Sequence, residues 1–236
     1  ILGDSISSYY GYESGAYYGP KEEKRVPYSI NIDDMWWSRY ADNNGMAIGY
    51  SSSVGGSEVA KDEKDYISLN NLKRINNLGE NGAPDYIAVF GGVNDSLLHR
   101  ADETRFYTKY NELIKKIHSN FADVRLILVA PYYLRNDVAT ILQTSNSTID
   151  SYNNSIKYIA SKNNDYYVDL RNALSFGVDY ADPSYEIHPN ESGMEKIAKV
   201  IEEAIKKARG DETTGIDNMK ADLDYDHYII KVVAYD

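Results

Sequence analysis

Short apolar runs along the chain predict strands that are buried on both faces. The runs cover residues 85–90, 124–131 and 165–170, and the first two end at Gly or Pro. Runs without polar alternation are typical of a parallel sheet, which helices cover on both sides. The chain also opens on an apolar pair, residues 1–2, directly before Gly3. Because two residues are too few for a strand, we expect further residues upstream, and a removed export signal is one explanation.

Stretches with apolar residues at spacings of three and four alternate with these runs and predict helices. They cover residues 106–121, 149–159 and 194–208. Ser147 and Asp150 resemble a capping box at the start of the second of these helices. Alternation of strands and helices predicts an α/β domain with three layers and right-handed crossovers.

The carboxyl ends of the predicted strands carry polar and glycine-rich segments. Ser5 follows the first apolar pair, and residues 90–95, FGGVND, follow the strongest strand signal. Binding and catalytic sites of parallel sheets form at this edge. Asn94 offers an amide donor, and the glycine-rich residues 51–59 offer backbone N–H groups, of the kind that hold an oxyanion. An ordinary glycine turn is the alternative for both segments.

A serine hydroxyl becomes a good nucleophile only beside a base, which is usually a histidine near neutral pH. Of the four histidines in the chain, His188 lies in a loop immediately before the last predicted helix. The φ angle of Pro189 is fixed by its ring, and Asn190 is a good helix N-cap. This rigid placement favours His188 as the base. The alternative is a loop histidine that only neighbours a helix cap.

Composition limits the classes of protein and site. The chain has 236 residues, a net charge of −11 and no cysteine. The length suits one domain, which we place at residues 1–208, and an acidic C-terminal extension, residues 209–236, is either an added strand or a linker to another module. The charge argues against nucleic acid or an anionic membrane surface as a partner. No apolar run approaches the ~18 residues of a membrane span, and neither a metal nor a cofactor is indicated.

Tyrosine is unusually frequent, with 23 residues in the chain. Aromatic residues cluster in residues 7–19 and 33–40. Codon bias of an AT-rich genome explains such a composition. The functional alternative is a surface that stacks on sugar rings, which would indicate a carbohydrate substrate.

Four segments resemble, in order and spacing, the sequence blocks of the SGNH hydrolases, the GDSL-type esterases and lipases. The segments are GDSIS at Gly3, GGSEV at Gly55, GGVND at Gly91 and HPN at His188. The resemblance spans nearly all of residues 1–208. It implies a three-layer α/β/α domain with a mainly parallel, flavodoxin-like sheet. The first block and the segment DMWWSRY further resemble a bacterial subgroup found in secreted or polysaccharide-associated settings, so we expect a secreted or cell-surface protein.

The same resemblance implies roles for individual residues. Ser5 is the nucleophile, and its N–H is also an oxyanion donor. Gly56 supplies a second N–H, with Gly55 as the alternative, and the Asn94 side chain completes the oxyanion hole. His188 is the base.

One position departs from the family pattern, which has an aspartate three residues before the histidine. Tyr185 stands there in this chain, and a phenol does not stabilise an imidazolium as a carboxylate does. We favour Asp182 as the orienting acid, because the loop through Pro183 can fold it back. Glu186 is the nearer alternative, although an extended loop would point it away from His188. A Ser–His dyad with a backbone carbonyl on Nδ1 is the third possibility.

These residues together predict a metal-independent serine esterase that hydrolyses carboxylic esters through an acyl-enzyme. Short acyl esters are the expected substrates, and acetyl groups on a polysaccharide are one such class. An acyltransferase with the same nucleophile is a close alternative. A non-catalytic carbohydrate-binding module on the same scaffold is the alternative from another class, and the missing aspartate is the feature that favours it.

Overall fold

The computed structural model describes residues 1–13 and 15–210. The last helix runs through Arg209, and Gly210 closes it in the left-handed conformation. Residues 211–236, which hold nearly all of the expected C-terminal extension, lie outside the described residues.

The described residues contain seven strands and seven α-helices. The strands are β1 (Leu2–Gly3), β2 (Tyr18–Gly19), β3 (Tyr28–Ser29), β4 (Ser52–Ser53), β5 (Tyr86–Phe90), β6 (Arg125–Val129) and β7 (Tyr166–Val168). The helices are α1 (Trp36–Asn43), α2 (Leu72–Asn77), α3 (Val93–Ser96), α4 (Glu103–Asn120), α5 (Asn136–Ile141), α6 (Asn146–Asn163) and α7 (Glu191–Arg209). The three predicted apolar runs are confirmed as β5, β6 and β7.

The central sheet has five strands in the order β4-β1-β5-β6-β7, and every neighbouring pair is parallel. This is the flavodoxin-like order, in which the second strand of the sheet lies outside the first. The nucleophile candidate therefore follows an inner strand, although β1 itself has only two residues. Strands β2 and β3 form a separate parallel pair.

Helices cover both faces of the sheet and complete the three predicted layers. Side chains of α1 and α7 pack with Phe90 and Val129 on one face. Side chains of α2, α4 and α6 pack with Val89 and Leu128 on the other. Successive residues of a strand point to opposite faces, so the unbroken apolar runs of β5 and β6 serve both cores.

The start of α6 differs from the predicted capping box. Ser145, not Ser147, is the N-cap, and its Oγ accepts a hydrogen bond from the Thr148 N–H at 3.2 Å. Ser147 lies inside the first turn, where its hydroxyl is 2.8 Å from that of Ser145. Both serines fit the cap preference, and the helix begins two residues earlier than the apolar spacing indicated.

Most of the clustered aromatic residues belong to the core. Trp36 and Trp37 are each 1% exposed, and Tyr9, Tyr18 and Tyr40 are also buried. The indole nitrogens of both tryptophans donate hydrogen bonds to Ser7, one to its hydroxyl and one to its carbonyl. The alternative that these clusters form a sugar-stacking surface is therefore wrong for these five residues, since their rings belong to the core on the α1 and α7 side of the sheet.

Candidate active site

Ser5 lies in a tight turn directly after β1. The carboxylate Oδ1 of Asp4 accepts a hydrogen bond from the Ile6 N–H at 2.9 Å, and the Asp4 carbonyl accepts from the Ser7 N–H at 3.2 Å. The Ser8 hydroxyl donates to the Ser5 carbonyl at 2.9 Å. These bonds fix the turn, so that the Ser5 side chain stands at the carboxyl edge of the sheet while only 6% of the residue is exposed.

His188 meets Ser5 at this edge. Its Nε2 lies 2.9 Å from the Ser5 Oγ, which is hydrogen-bond distance between a nucleophile and a base. For Nε2 to accept the hydroxyl proton, the ring must carry its own hydrogen on Nδ1. The structure thus brings together the two residues that the sequence analysis selected as nucleophile and base.

The loop that carries His188 is held on both sides. The His188 carbonyl accepts a hydrogen bond from the Ala181 N–H at 2.8 Å, and the Pro189 carbonyl accepts from the Tyr18 hydroxyl at 2.9 Å. Asn190 caps α7 through the Gly193 N–H at 3.1 Å, as expected for this residue. The main chain at His188 and at the two residues after it is therefore held by hydrogen bonds.

The residues considered as orienting acids do not hydrogen-bond to His188. The Oδ1 of Asp182 accepts hydrogen bonds from the N–H groups of Ser184 and Tyr185, at 2.8 and 3.4 Å. Glu186 is buried and pairs with Arg135 at 2.7 Å; its φ of 50° shows that the loop is not extended there, as the sequence analysis assumed. The preferred role of Asp182 as a direct acceptor is absent from this structure, because its carboxylate closes its own turn.

The third possibility, a backbone carbonyl on Nδ1, is also not seen. Across the described residues, no group accepts a hydrogen bond from the Nδ1 of His188. Burial lowers the pKa of His188 to about 4, although the charge of Asp182 raises it. The imidazole is therefore neutral at neutral pH and able to accept a proton from Ser5.

Asn94 lies in the short helix α3, directly after β5. Its Nδ2 donates to the Ser57 carbonyl at 3.0 Å and approaches the Oδ2 of Asp4 at 3.5 Å. These contacts join the asparagine to the turns that carry Ser5 and Gly56. The amide is thereby held between the first two sequence blocks.

Hydrogen bonding in the turn after β4 distinguishes Gly55 from Gly56 as the candidate backbone donor of the oxyanion hole. The Gly55 N–H donates to the Gly15 carbonyl at 3.2 Å, and the Ser57 N–H donates to the Val54 carbonyl at the same distance. Between them, Gly56 has a positive φ of 75°, which glycine adopts without strain. Its N–H has no acceptor within the part of the chain that the structure describes. The geometry therefore favours Gly56 over Gly55 as a donor.

Arg74 in α2 hydrogen-bonds to the segments that carry Ser5 and Gly56, and it was not predicted from the sequence. The residue is fully buried, and its Nη2 donates to the carbonyls of Gly3 and Ser52, at 2.8 and 2.6 Å. Its Nη1 donates to the Ser57 hydroxyl at 2.8 Å. One guanidinium thus joins β1, β4 and the Gly56 turn. No local pattern in the sequence marks this arginine, because its partners are distant main-chain groups.

Two buried carboxyl groups lie beneath the site. Burial raises the pKa of Asp4 to about 7 and that of Asp95 to about 6. Asp95 accepts hydrogen bonds from the N–H groups of Val59 and Ala60, at 2.9 and 2.7 Å. This carboxyl joins α3, which carries Asn94, to the segment that follows the Gly56 turn.

The described residues contain no group of three or more His, Cys, Asp or Glu side chains able to hold a metal ion. None of the helices seen in residues 1–13 and 15–210 has the length and apolarity needed to cross a membrane.

Comparison with known proteins places this arrangement in a family. The model of the GDSL-like lipase/acylhydrolase family matches residues 1–205. A comparison with curated proteins finds no match.

Several solved structures share the fold. Est24, a carbohydrate acetylesterase from Sinorhizobium meliloti, has a TM-score of 0.64 at 14% identity, over 88% of this chain and 96% of its own. A lipase/acylhydrolase from Enterococcus faecalis has a TM-score of 0.59 at 19% identity, over 91% and 97%. The M. smegmatis aryl esterase has a TM-score of 0.62 at 14% identity, over 88% and 97%. These likenesses confirm the three-layer α/β/α fold that the sequence predicted.

Proposed function

Since the chain belongs to the GDSL-like lipase/acylhydrolase family and is a carboxylic ester hydrolase, we propose that it acts through an acyl-enzyme formed on Ser5. The observation that carries the proposal is the 2.9 Å contact between the Ser5 Oγ and the His188 Nε2. A serine beside a neutral imidazole is the arrangement that activates a hydroxyl for attack on a carbonyl.

The proposed reaction has two halves that use the same groups. Ser5 Oγ attacks the ester carbonyl carbon, and its proton passes to the Nε2 of His188. The negative oxygen of the tetrahedral intermediate is held by the N–H groups of Ser5 and Gly56 and by the Asn94 amide. The C–O bond to the alcohol then breaks, and the imidazolium gives its proton to the leaving alkoxide. Water repeats the attack on the acyl-enzyme and frees the acid and Ser5.

Replacement of the nucleophile is the direct test of this mechanism. We expect Ser5→Ala to abolish hydrolysis of p-nitrophenyl acetate and labelling by a fluorophosphonate probe, because alanine has no hydroxyl to attack. Ser161→Ala is a matched control, since this exposed hydroxyl bonds only within α6. Circular dichroism should show an unchanged fold in both variants. Substantial hydrolysis by the Ser5 variant would refute the mechanism, and an unlabelled wild-type protein would favour the non-catalytic binding module.

We further propose short acyl groups as substrates, with acetyl esters of a polysaccharide as the specific class. The ring of Tyr17 packs on the face of His188, with centroids 4.7 Å apart, and limits the room beside the base. Tyr185, three residues before His188, is 45% exposed, so its ring is available to stack on a sugar. A carbohydrate acetylesterase is also among the proteins of similar fold.

The carbohydrate assignment is tested by comparing two substrates. We expect acetate release from acetylated xylan as well as from p-nitrophenyl acetate. Tyr185→Ala should raise KM roughly 3–10-fold for xylan alone, the range that the loss of one aromatic contact allows. Tyr10→Ala, which removes another exposed ring, is the control. If the wild-type protein cleaves the small ester but leaves acetylated xylan intact, the polysaccharide proposal is wrong and the esterase mechanism stands.

A further inference from the structure

Aromatic rings enclose the imidazole of His188. Tyr17 stacks on it with an angle of 21° between the ring planes and centroids 4.7 Å apart. Tyr28 is tilted by 36° at 5.1 Å, and Tyr18 meets the imidazole edge-on at 6.4 Å. The three tyrosines come from the β2–β3 region, which contains none of the four sequence blocks.

The main chain of Tyr17 is held by hydrogen bonds that lead to Ser5. Its N–H donates to the Ser8 Oγ at 2.9 Å, and the same hydroxyl donates to the Ser5 carbonyl at 2.9 Å. The Tyr17 carbonyl accepts from the Tyr28 N–H at 3.0 Å. One serine hydroxyl thus links the main chain of the stacking residue to the main chain of the nucleophile.

The ring of Tyr17 packs closely against the turn that contains Gly55 and Gly56. A Cβ atom at Gly55 would lie 2.5 Å from the Tyr17 Cε2 and 2.8 Å from the Gly15 carbonyl oxygen. Because no such contact is tolerated, glycine at position 55 is explained by the approach of Tyr17. The ring therefore packs against both the base and the turn that carries Gly56.

Apart from the Ser5 hydroxyl and the three tyrosine rings, no side chain among the described residues is seen to orient the imidazole of His188. In the residues that the structure describes, Nδ1 has no hydrogen-bond acceptor, and the Asp182 carboxylate is bound to its own loop. A ring stacked on the imidazole restricts its tilt, while the contact with Ser5 fixes its edge. The π face of a phenol also attracts a cation, and an imidazolium forms when His188 takes the proton of Ser5.

We propose that Tyr17 is a positioning residue for the base, and that its stacked ring, supported by Tyr28, orients the imidazole in the absence of a carboxylate on Nδ1. The inference rests on the Ser5–His188 mechanism proposed above. It assigns a role to Tyr17 that the resemblance to the family does not imply.

Two substitutions at Tyr17 and one at Tyr12 distinguish a positioning role from a general effect on the loop. Tyr17→Phe keeps the ring, so kcat should stay within about twofold of wild type. Tyr17→Leu fills similar space without a π face, and we expect kcat to fall roughly 10–10²-fold with KM nearly unchanged, as for a misplaced catalytic group. Tyr12→Leu, in the same loop but packed on Trp37, is the matched control and should leave both constants unchanged.

The pH dependence of kcat/KM is a second measurement, and a purely structural role of Tyr17 would leave its acid limb unchanged. The titratable groups that face His188 are Asp182 from its own loop and the phenols of Tyr17, Tyr18 and Tyr28. Tyr17→Ala opens the imidazole to water, so its pKa should rise towards the ordinary value and the acid limb of kcat/KM should move to higher pH. Tyr17→Leu keeps the imidazole covered and should leave the limb in place while lowering the plateau.

The activities of these variants test the positioning role of Tyr17 separately from the Ser5–His188 mechanism. Wild-type kcat in Tyr17→Leu, or an equal loss in Tyr17→Phe, would overturn the positioning role even if Ser5→Ala is inactive. A rise in KM alone would make Tyr17 a wall of the substrate site instead. Activity retained in Ser5→Ala would remove the mechanism and this inference together.

Discussion

The imidazole of His188 is contacted by one side chain at its edge and by another on its face. The Ser5 hydroxyl lies at the Nε2 edge at 2.9 Å, and the Tyr17 ring covers a face. Asp182 influences this ring only by its charge, which raises the pKa of His188 against the lowering by burial. We therefore treat Asp182 as a charge that acts at a distance and not as a partner of Nδ1.

Asp182→Asn tests this distinction through the pH dependence of activity. Because burial lowers the pKa of His188 to about 4, protonation of the base should give wild-type kcat/KM an acid limb near pH 4. Removal of the Asp182 charge should lower that pKa further and move the acid limb to lower pH. A charge that acts through solvent-exposed surroundings is worth about 1 kcal/mol, so the loss of kcat should stay within roughly tenfold.

A much larger loss of kcat in Asp182→Asn would contradict this view of Asp182. A loss near the ~10⁴-fold seen when an orienting aspartate is essential would mean that Asp182 reaches Nδ1 during catalysis. Asp137→Asn, which removes an exposed carboxylate bound to Arg135, is the control for a general change in surface charge.

At the scale of the elements, the short strands depend on a buried guanidinium. Strands β1 and β4 have two residues each, too few to be stable by pairing alone. Arg74 in α2 donates to the main chain at the ends of both. Its other amine holds the Ser57 hydroxyl, which in turn donates to the Val54 carbonyl at 2.6 Å. The shape of the Gly56 turn is therefore set from the helix behind it.

We expect Arg74→Met to lose both stability and activity. Each hydrogen bond from the charged, buried guanidinium contributes about 1.5–3 kcal/mol, and at least two of them go to buried carbonyls, so a total loss of roughly 3 kcal/mol or more is expected. At ~2–4 °C per kcal/mol for a domain of this size, Tm should fall by roughly 6 °C or more. Arg74→Lys should recover part of this loss, because an ammonium reaches fewer of the same acceptors.

Lys73→Met, at the exposed neighbouring position, provides the comparison in the same thermal unfolding experiment. A change in Tm no larger for Arg74→Met than for this control would mean that the hydrogen bonds of Arg74 contribute nothing net.

The elements differ in how far the sequence could predict them. The apolar runs of β5, β6 and β7 mark buried strands because both faces of each strand are covered. Strand β4 is Ser52–Ser53, and nothing in two serines favours a strand; its pairing with β1 is decided by the tertiary structure. The start of α6 was misplaced for a related reason, since Ser145 and Ser147 are equally good caps and only the three-dimensional entry of the chain selects one.

For the molecule as a whole, the sequence predicted the layers, the parallel sheet and the residues that meet at its edge. Ser5, Asn94 and His188 could be selected as candidates because each lies in a short block with its own local geometry. Arg74 and Tyr17 were missed because their contacts are distant in sequence and leave no local pattern. The aromatic clusters were partly misread, since composition alone cannot distinguish a ring that fills the core from one that faces solvent.

The contact between Ser5 and His188 joins residues 183 positions apart, and this separation has a consequence for folding. Contacts between residues far apart in sequence close long loops and form slowly. During synthesis Ser5, the proposed nucleophile, leaves the ribosome before His188 does, and under the proposed mechanism it remains an ordinary serine until the segment before α7 has been made and docked. If the proposed mechanism holds, hydrolytic activity reports the docking of this segment, and in refolding it should return no earlier than the helical signal.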